Sequence, residues 1–138
     1  MEKNTITVAV TVNAPLSKTW ETWTSPEHIV NWNNASSDWH TPFAENDLVE
    51  GGWFKSTMAA KDGSMSFDFE GTYTKIEMHQ LIEYTLDDKR EVKITFEPLG
   101  DSTRVTESFD AESSHSTEMQ KDGWQAILDN FKAYTESL

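Results

Sequence analysis

The sequence predicts an α+β protein in which a curved antiparallel sheet of six to seven strands wraps one long C-terminal helix, with two short helices after the first strand. Three observations carry this. From about Ser116 to Tyr134, the residues Met119, Trp124, Ile127, Leu128 and Phe131 recur at helical spacing, and a helix of roughly twenty residues spans about 30 Å, the width of a small domain. Nearly everything before it alternates apolar and polar residues with the period of a strand. The strand-like runs are separated by short turn-forming segments, the spacing of antiparallel hairpins.

Taken in order, Thr5 to Val12 places Ile6, Val8, Val10 and Val12 on one face and Thr5, Thr7, Ala9 and Thr11 on the other, as in a half-buried strand. Asn13-Ala14-Pro15 ends it, and Pro15 suits the start of a helix, where a missing N–H costs nothing. Leu16, Trp20 and Trp23 then form one stripe of a short amphipathic helix. Ser25-Pro26-Glu27 repeats the start signal for a second helix reaching about Trp32. From Asn33 to Asp47 the periodicity vanishes and a loop is expected. It is unusually aromatic, and its Trp39, His40 and Phe43, with Trp32 before them, either cover a cavity mouth or pack on a sheet edge.

Gly51-Gly52 opens a strand through Ala59, and Lys61-Asp62-Gly63-Ser64 carries the Asp-Gly signal of a tight hairpin. On the return strand, Met65 to Ile76, the residues Met65, Phe67 and Phe69 alternate with Ser66, Asp68 and Glu70. Leu81 to Leu86, Glu91 to Phe96 and Thr103 to Phe109 follow as three more strands. In the last of these, if Val105 and Phe109 point inward, Thr103 and Glu107 do too. A carboxylate on an apolar face must be paired, hydrogen-bonded or wet. Gly123, inside the final helix, costs about 1 kcal/mol relative to Ala, which suggests either a close approach of the backbone to sheet or ligand, or a tolerated residue.

Composition narrows the function classes. At 138 residues, residues 1–138 are expected to form a single domain that buries enough surface to need no staples. With no cysteine, disulfides, thiolate metal sites and cysteine nucleophiles are excluded. No basic-then-apolar leader and no long apolar run is present, so membrane insertion is not expected and a cytoplasmic location is the default. A net charge of −13, spread over both halves of the chain, argues against nucleic-acid partners, which are held through clustered Lys and Arg. Six Trp and seven Phe suit either a core or an apolar ligand pocket.

The residues also carry a family resemblance. Ala14-Pro15 with Trp20 and Trp23, Pro26-Glu27-His28, Glu45-Asn46-Asp47-Leu48 and Gly51-Gly52 resemble the START-like, or SRPBCC, superfamily with its helix-grip (START/Bet v1-like) fold. More closely, the run Phe67 to Tyr73, Leu81-Ile82-Glu83-Tyr84 and the run Gly123 to Phe131 are similar to the branch named after the activator of Hsp90 ATPase. The resemblance implies a seven-stranded grip around a deep apolar cavity, used across the superfamily for lipids, sterols, polyketides and other hydrophobic small molecules. It implies a chaperone, Hsp90, as an alternative partner. Relatives often carry a basic residue just before the Gly-Gly pair, where this chain has Val49-Glu50, which weakens any transfer of an anion-binding or docking role to this edge.

These readings converge on an apolar or amphipathic small molecule held between two surfaces. One is the sheet face bearing Phe67, Phe69, Tyr84, Phe96 and Glu107; the other is the helix stripe Met119, Gly123, Trp124 and Ile127, with Trp39 at the mouth. The Met119 to Trp124 end of the helix is expected to open the cavity, and the Ile127, Leu128 and Phe131 end to be plain core. Glu107 is the one candidate for chemistry. Desolvation would raise its pKa and suit it to acid–base work of a cyclase or hydrolase type. Alternatively it bonds Thr103, Tyr84 or a backbone group and only fixes orientation. His28, His40, His79 and His115 fall in helix starts, loops and a turn; His115 and Glu118 read as a surface pair, and Asp38-Trp39-His40 as a minor candidate for a base. No pattern points to a metal or another cofactor.

Overall fold

The computed structural model describes residues 5–34, 36–113 and 116–138. Strand β1 (Thr5–Val12) leads into helices α1 (Leu16–Thr24) and α2 (Pro26–Trp32). Six strands follow, β2 (Trp39–Asn46), β3 (Trp53–Ala60), β4 (Ser66–Glu77), β5 (Leu81–Leu86), β6 (Glu91–Leu99) and β7 (Ser102–Asp110), and the chain closes with helix α3 (Thr117–Ser137). All seven strands form one antiparallel sheet in the order β1-β7-β6-β5-β4-β3-β2. The meander from β2 to β7 is joined by local hairpins, and only the β1 to β7 pairing is remote in sequence.

The expected elements have local physical causes. β1 buries Ile6, Val8, Val10 and Val12, the alternate residues that its period of two puts on one face. Pro26 occupies the first turn of α2. The Ser116 hydroxyl accepts a bond from Met119 N–H at 3.1 Å and so caps α3. Side chains of α3 then cover the open edge of β1: Gln125 Nε2 donates to Ala9 C=O at 3.2 Å and Lys132 Nζ to Thr11 C=O at 2.8 Å. These bonds satisfy carbonyls that an edge strand would otherwise present to another chain.

The segment expected to be a loop contains a strand. Trp39–Asn46 pairs with β3 as the outermost strand, with a register break between His40 and Phe43. Pro42, in that break, has no N–H to donate to a ladder. Trp39, His40 and Phe43 thus lie on a sheet edge.

Under the sheet, α1 and α2 plug one end and α3 crosses the rest. Trp32 Nε1 donates to Thr22 C=O at 3.0 Å, tying α2 to the C-terminal carbonyls of α1. Trp23 and Trp32 meet the ring of Phe131 edge-on at centroid distances of 4.9 and 5.0 Å. Leu128 and Phe131 are fully buried, so this end of α3 is core. No described helix is long and apolar enough to cross a membrane.

Candidate functional site

Between the other end of α3 and the sheet lies a cavity of about 690 Å³, within the range of small-molecule sites. Its sheet wall is built by inward residues of β3 to β5 and β7, including Phe54, Phe69, Tyr73, Tyr84 and Glu107. Gly71 makes the Phe54 ring possible there. The two residues face each other across the β3–β4 ladder, and a Cβ on Gly71 would lie 2.7 Å from the Phe54 ring and 2.8 Å from the Thr85 carbonyl. A glycine in a strand marks such close approaches.

The helical wall combines Met119, Gln120, Gly123, Trp124 and Ile127 of α3 with Trp23, Ile29 and Trp32 of α1 and α2. Trp124 is fixed from both sides. It stacks on Phe109 at 3.8 Å between ring centroids and 11° between planes, and Phe69 meets it edge-on at 6.1 Å. The edge-on contact with Phe69 suits the aromatic quadrupole. Met119 and Phe67 are the exposed apolar members of the lining, at 61 % and 50 %, so the cavity opens between them. Trp39 stands beside Phe67, with ring centroids 5.9 Å apart.

Trp39, Phe67, Phe69, Tyr84, Glu107, Met119, Gly123, Trp124 and Ile127 therefore share one cavity lining. Phe96 does not. It points inward as its period requires, but it sits beyond the cavity and packs against Trp20 and Trp23 at 5.0 and 6.0 Å. Trp32, offered with Trp39 as a cover for a cavity mouth, is in the lining; sequence reasoning missed Phe54, Trp23, Tyr73 and Arg90. The Phe54-opposite-Gly71 pairing and the helix-borne Trp stripe were the available signals for two of them; Arg90, on a turn, gave none.

Gly123 is not explained by close approach. A Cβ there would meet nothing within 4 Å, because the position looks into the cavity. Gly123→Ala is therefore expected to stabilise the protein by about 1 kcal/mol through helix propensity, visible as a rise of a few degrees in thermal unfolding.

Glu107 is inward and 5 % exposed, between Val8 of β1 and Ile94 of β6 in the ladders. Among the described residues its carboxyl makes no hydrogen bond and no ion pair, and its oxygens reach the cavity space and are not sealed in the core. The expected bond to Thr103 is not formed, because that hydroxyl donates to Ala14 C=O at 3.0 Å. Burial pushes Glu107 up to about 8, since the interior penalises the charged form. Burial also drives the Tyr84 phenol well above its usual value, and the nearby Glu107 carboxyl adds to this. Tyr73 is pushed to about 12, mainly by burial, and its hydroxyl accepts a long bond from Asn46 Nδ2 at 3.5 Å. Arg90, the one lining cation among the described residues, donates through Nε to Asp88 at 2.7 Å.

The described histidines, His28, His40 and His79, stand apart from this site. His28 Nδ1 lies 2.8 Å from the Tyr134 hydroxyl, His79 meets Trp20 edge-on, and His40 is exposed. His115, and with it the pairing to Glu118, lies outside the described residues. No group of three or more metal-binding side chains occurs among the described residues.

Residues 13–136 match the family model described as Activator of Hsp90 ATPase homolog 1-like protein. The chain belongs to this AHSA1-like family. An AHSA1-like protein from Aeromonas hydrophila, solved in solution, is 45 % identical, with 96 % of this chain and 93 % of that one covered and a TM-score of 0.88. A protein from Cytophaga hutchinsonii is 55 % identical, with 96 % and 92 % covered and a TM-score of 0.83. A Chromobacterium violaceum protein, 22 % identical with 96 % and 98 % covered, shares the fold at a TM-score of 0.83. No functionally curated protein matches the chain. The seven-stranded sheet closed by α3 is the helix-grip architecture of these AHSA1-like relatives.

Proposed function

We propose that this protein binds an apolar or amphipathic small molecule in the cavity between the sheet and α3. The observation that carries this reading is the cavity itself, about 690 Å³ walled by aromatic side chains with a few inward polar groups. Apolar walls with sparse polar groups are the usual anatomy of such sites, because burial supplies affinity and the polar groups fix orientation. A packed core of this size would have closed over such a volume.

Thermal unfolding against a panel of lipids and aromatic metabolites tests it. A ligand present at about 100 times its Kd should add about 2.7 kcal/mol to stability. No shift with any hydrophobic class would count decisively against ligand binding.

The family description favours a second reading, an interaction module for the chaperone Hsp90. Purified Hsp90 should then be retained by the immobilised protein without any small molecule, and the cavity variant Ile127→Trp should leave that retention unchanged. A cyclase- or hydrolase-type reaction at Glu107 has less support, because no second proton-handling group bonds its carboxyl among the described residues.

A further inference from the structure

We propose that the cavity selects an amphipathic amine, an apolar or aromatic body whose protonated nitrogen seats against the Glu107 carboxyl. This rests on the ligand-binding reading above and narrows it to one chemical class.

The first support is geometric. Glu107 is 95 % buried by its 5 % exposure, aims into the cavity and lacks a hydrogen-bond or ion-pair partner among the described residues. Isolated carboxyls at such depth are costly unless something completes them. Among the described residues no cation pairs with it, and the cavity's Arg90 is held by Asp88. Its ladder neighbours Val8 and Ile94 are aliphatic, and the α3 residues facing the cavity include none that titrates.

The second support is the charge census of the lining. Its titratable groups are Glu45, Tyr73, Tyr84, Arg90, Glu107 and Glu112. Both phenols are held neutral by their raised pKa values, and Arg90 is already engaged by Asp88 at 2.7 Å. The remaining groups are carboxyls. An anionic ligand would meet no unengaged cation among the described lining residues and would enter a protein of net charge −13, which repels anions and attracts cations toward the mouth. The third support is the aromatic wall, since Phe54, Phe69, Tyr84 and Trp124 line the cavity and an aromatic ring attracts a cation more than a neutral head.

Protons balance simply. Glu107 is protonated near pH 7 because burial lifts it to about 8. When an ammonium docks, the carboxyl loses its proton to solvent and the nitrogen keeps its own, so about one proton leaves per amine bound. Affinity for the amine should rise about fivefold from about pH 7 to pH 8 as the deprotonated fraction grows. An alkylamine, like Lys at about 10.4, stays charged throughout.

Three probes sharing one skeleton, phenylbutylamine, phenylbutanol and phenylbutyrate, test this by titration calorimetry in two buffers of different ionisation enthalpy. The wild type is expected to bind the amine at least tenfold more tightly than the alcohol, with proton release and the stated pH dependence. In Glu107→Gln, the proton release and the pH dependence should vanish, and the amine should fall to within about threefold of the alcohol. Alcohol binding equal to amine binding, or amine binding without proton release, overturns the amine assignment and leaves the ligand-binding reading standing. Tightest binding of phenylbutyrate does the same and points to Arg90. If none of the three binds, the amine assignment falls together with the cavity reading beneath it.

Discussion

Glu107→Gln should make the protein more stable at pH 7 by about 3 kcal/mol, raising its melting temperature by about 10 °C. The cause is the gap between its ordinary value, 4.5, and the value of about 8 in the fold. Between those two pH values the folded protein keeps a proton that the unfolded chain has released. Stability therefore falls as pH rises through that window, by about 1.4 kcal/mol per unit. Glutamine keeps the shape and removes the titration. The advantage of the variant should vanish below about pH 4 and level off above about pH 8. Urea unfolding of both proteins at acid, neutral and alkaline pH reads this directly, and a constant difference across all three would sink it. Asp62 and Glu136, whose pKa values are lowered by hydrogen bonds from Ser64 and Lys132, act in the opposite sense. They are common to both proteins and drop out of the comparison.

Phe131→Ala should cost about 3 to 5 kcal/mol, a large share of the roughly 5 to 15 kcal/mol that holds a domain together. The Phe131 ring is fully buried and meets both Trp23 and Trp32 edge-on in a three-ring cluster, and both indoles also line the cavity. Removing it leaves a void that the two indoles cannot fill without leaving their edge-on geometry. A fall in the urea midpoint with unchanged slope is the expected signature. Phe131→Leu should recover part of the loss. An alanine variant as stable as the wild type would mean that α1 and α2 do not depend on α3 for support.

Much of the sheet was legible because its strands bury one face and solvate the other. Glu107 was found this way, as the polar member of an inward set with Val105 and Phe109. Strand β2 escaped for the same reason. It is an outer strand, interrupted near Pro42, and buries little on either face, so no alternation is imposed on it. Periodicity gives direction but not depth along a strand, and for that reason Phe96 was placed inward correctly and in the cavity wrongly. The reverse holds for Tyr73. Its strand was legible, but which inward rings border open space depends on where α3 ends its contact with the sheet, and that is fixed by packing between distant elements. Cavities are properties of what fails to touch, and no local pattern encodes them.

The four tryptophans on the cavity wall, Trp23, Trp32, Trp39 and Trp124, form the majority of the six in the chain. The protein consequently carries its own optical gauge. Excited near the red edge of indole absorption, most of its emission should originate at the cavity wall, and occupancy by any polarisable guest should shift or quench that light without an added dye. Among these four, Trp32, 5 % exposed, should contribute the bluest component, and Trp39, beside the opening, the one most accessible to a dissolved quencher such as acrylamide.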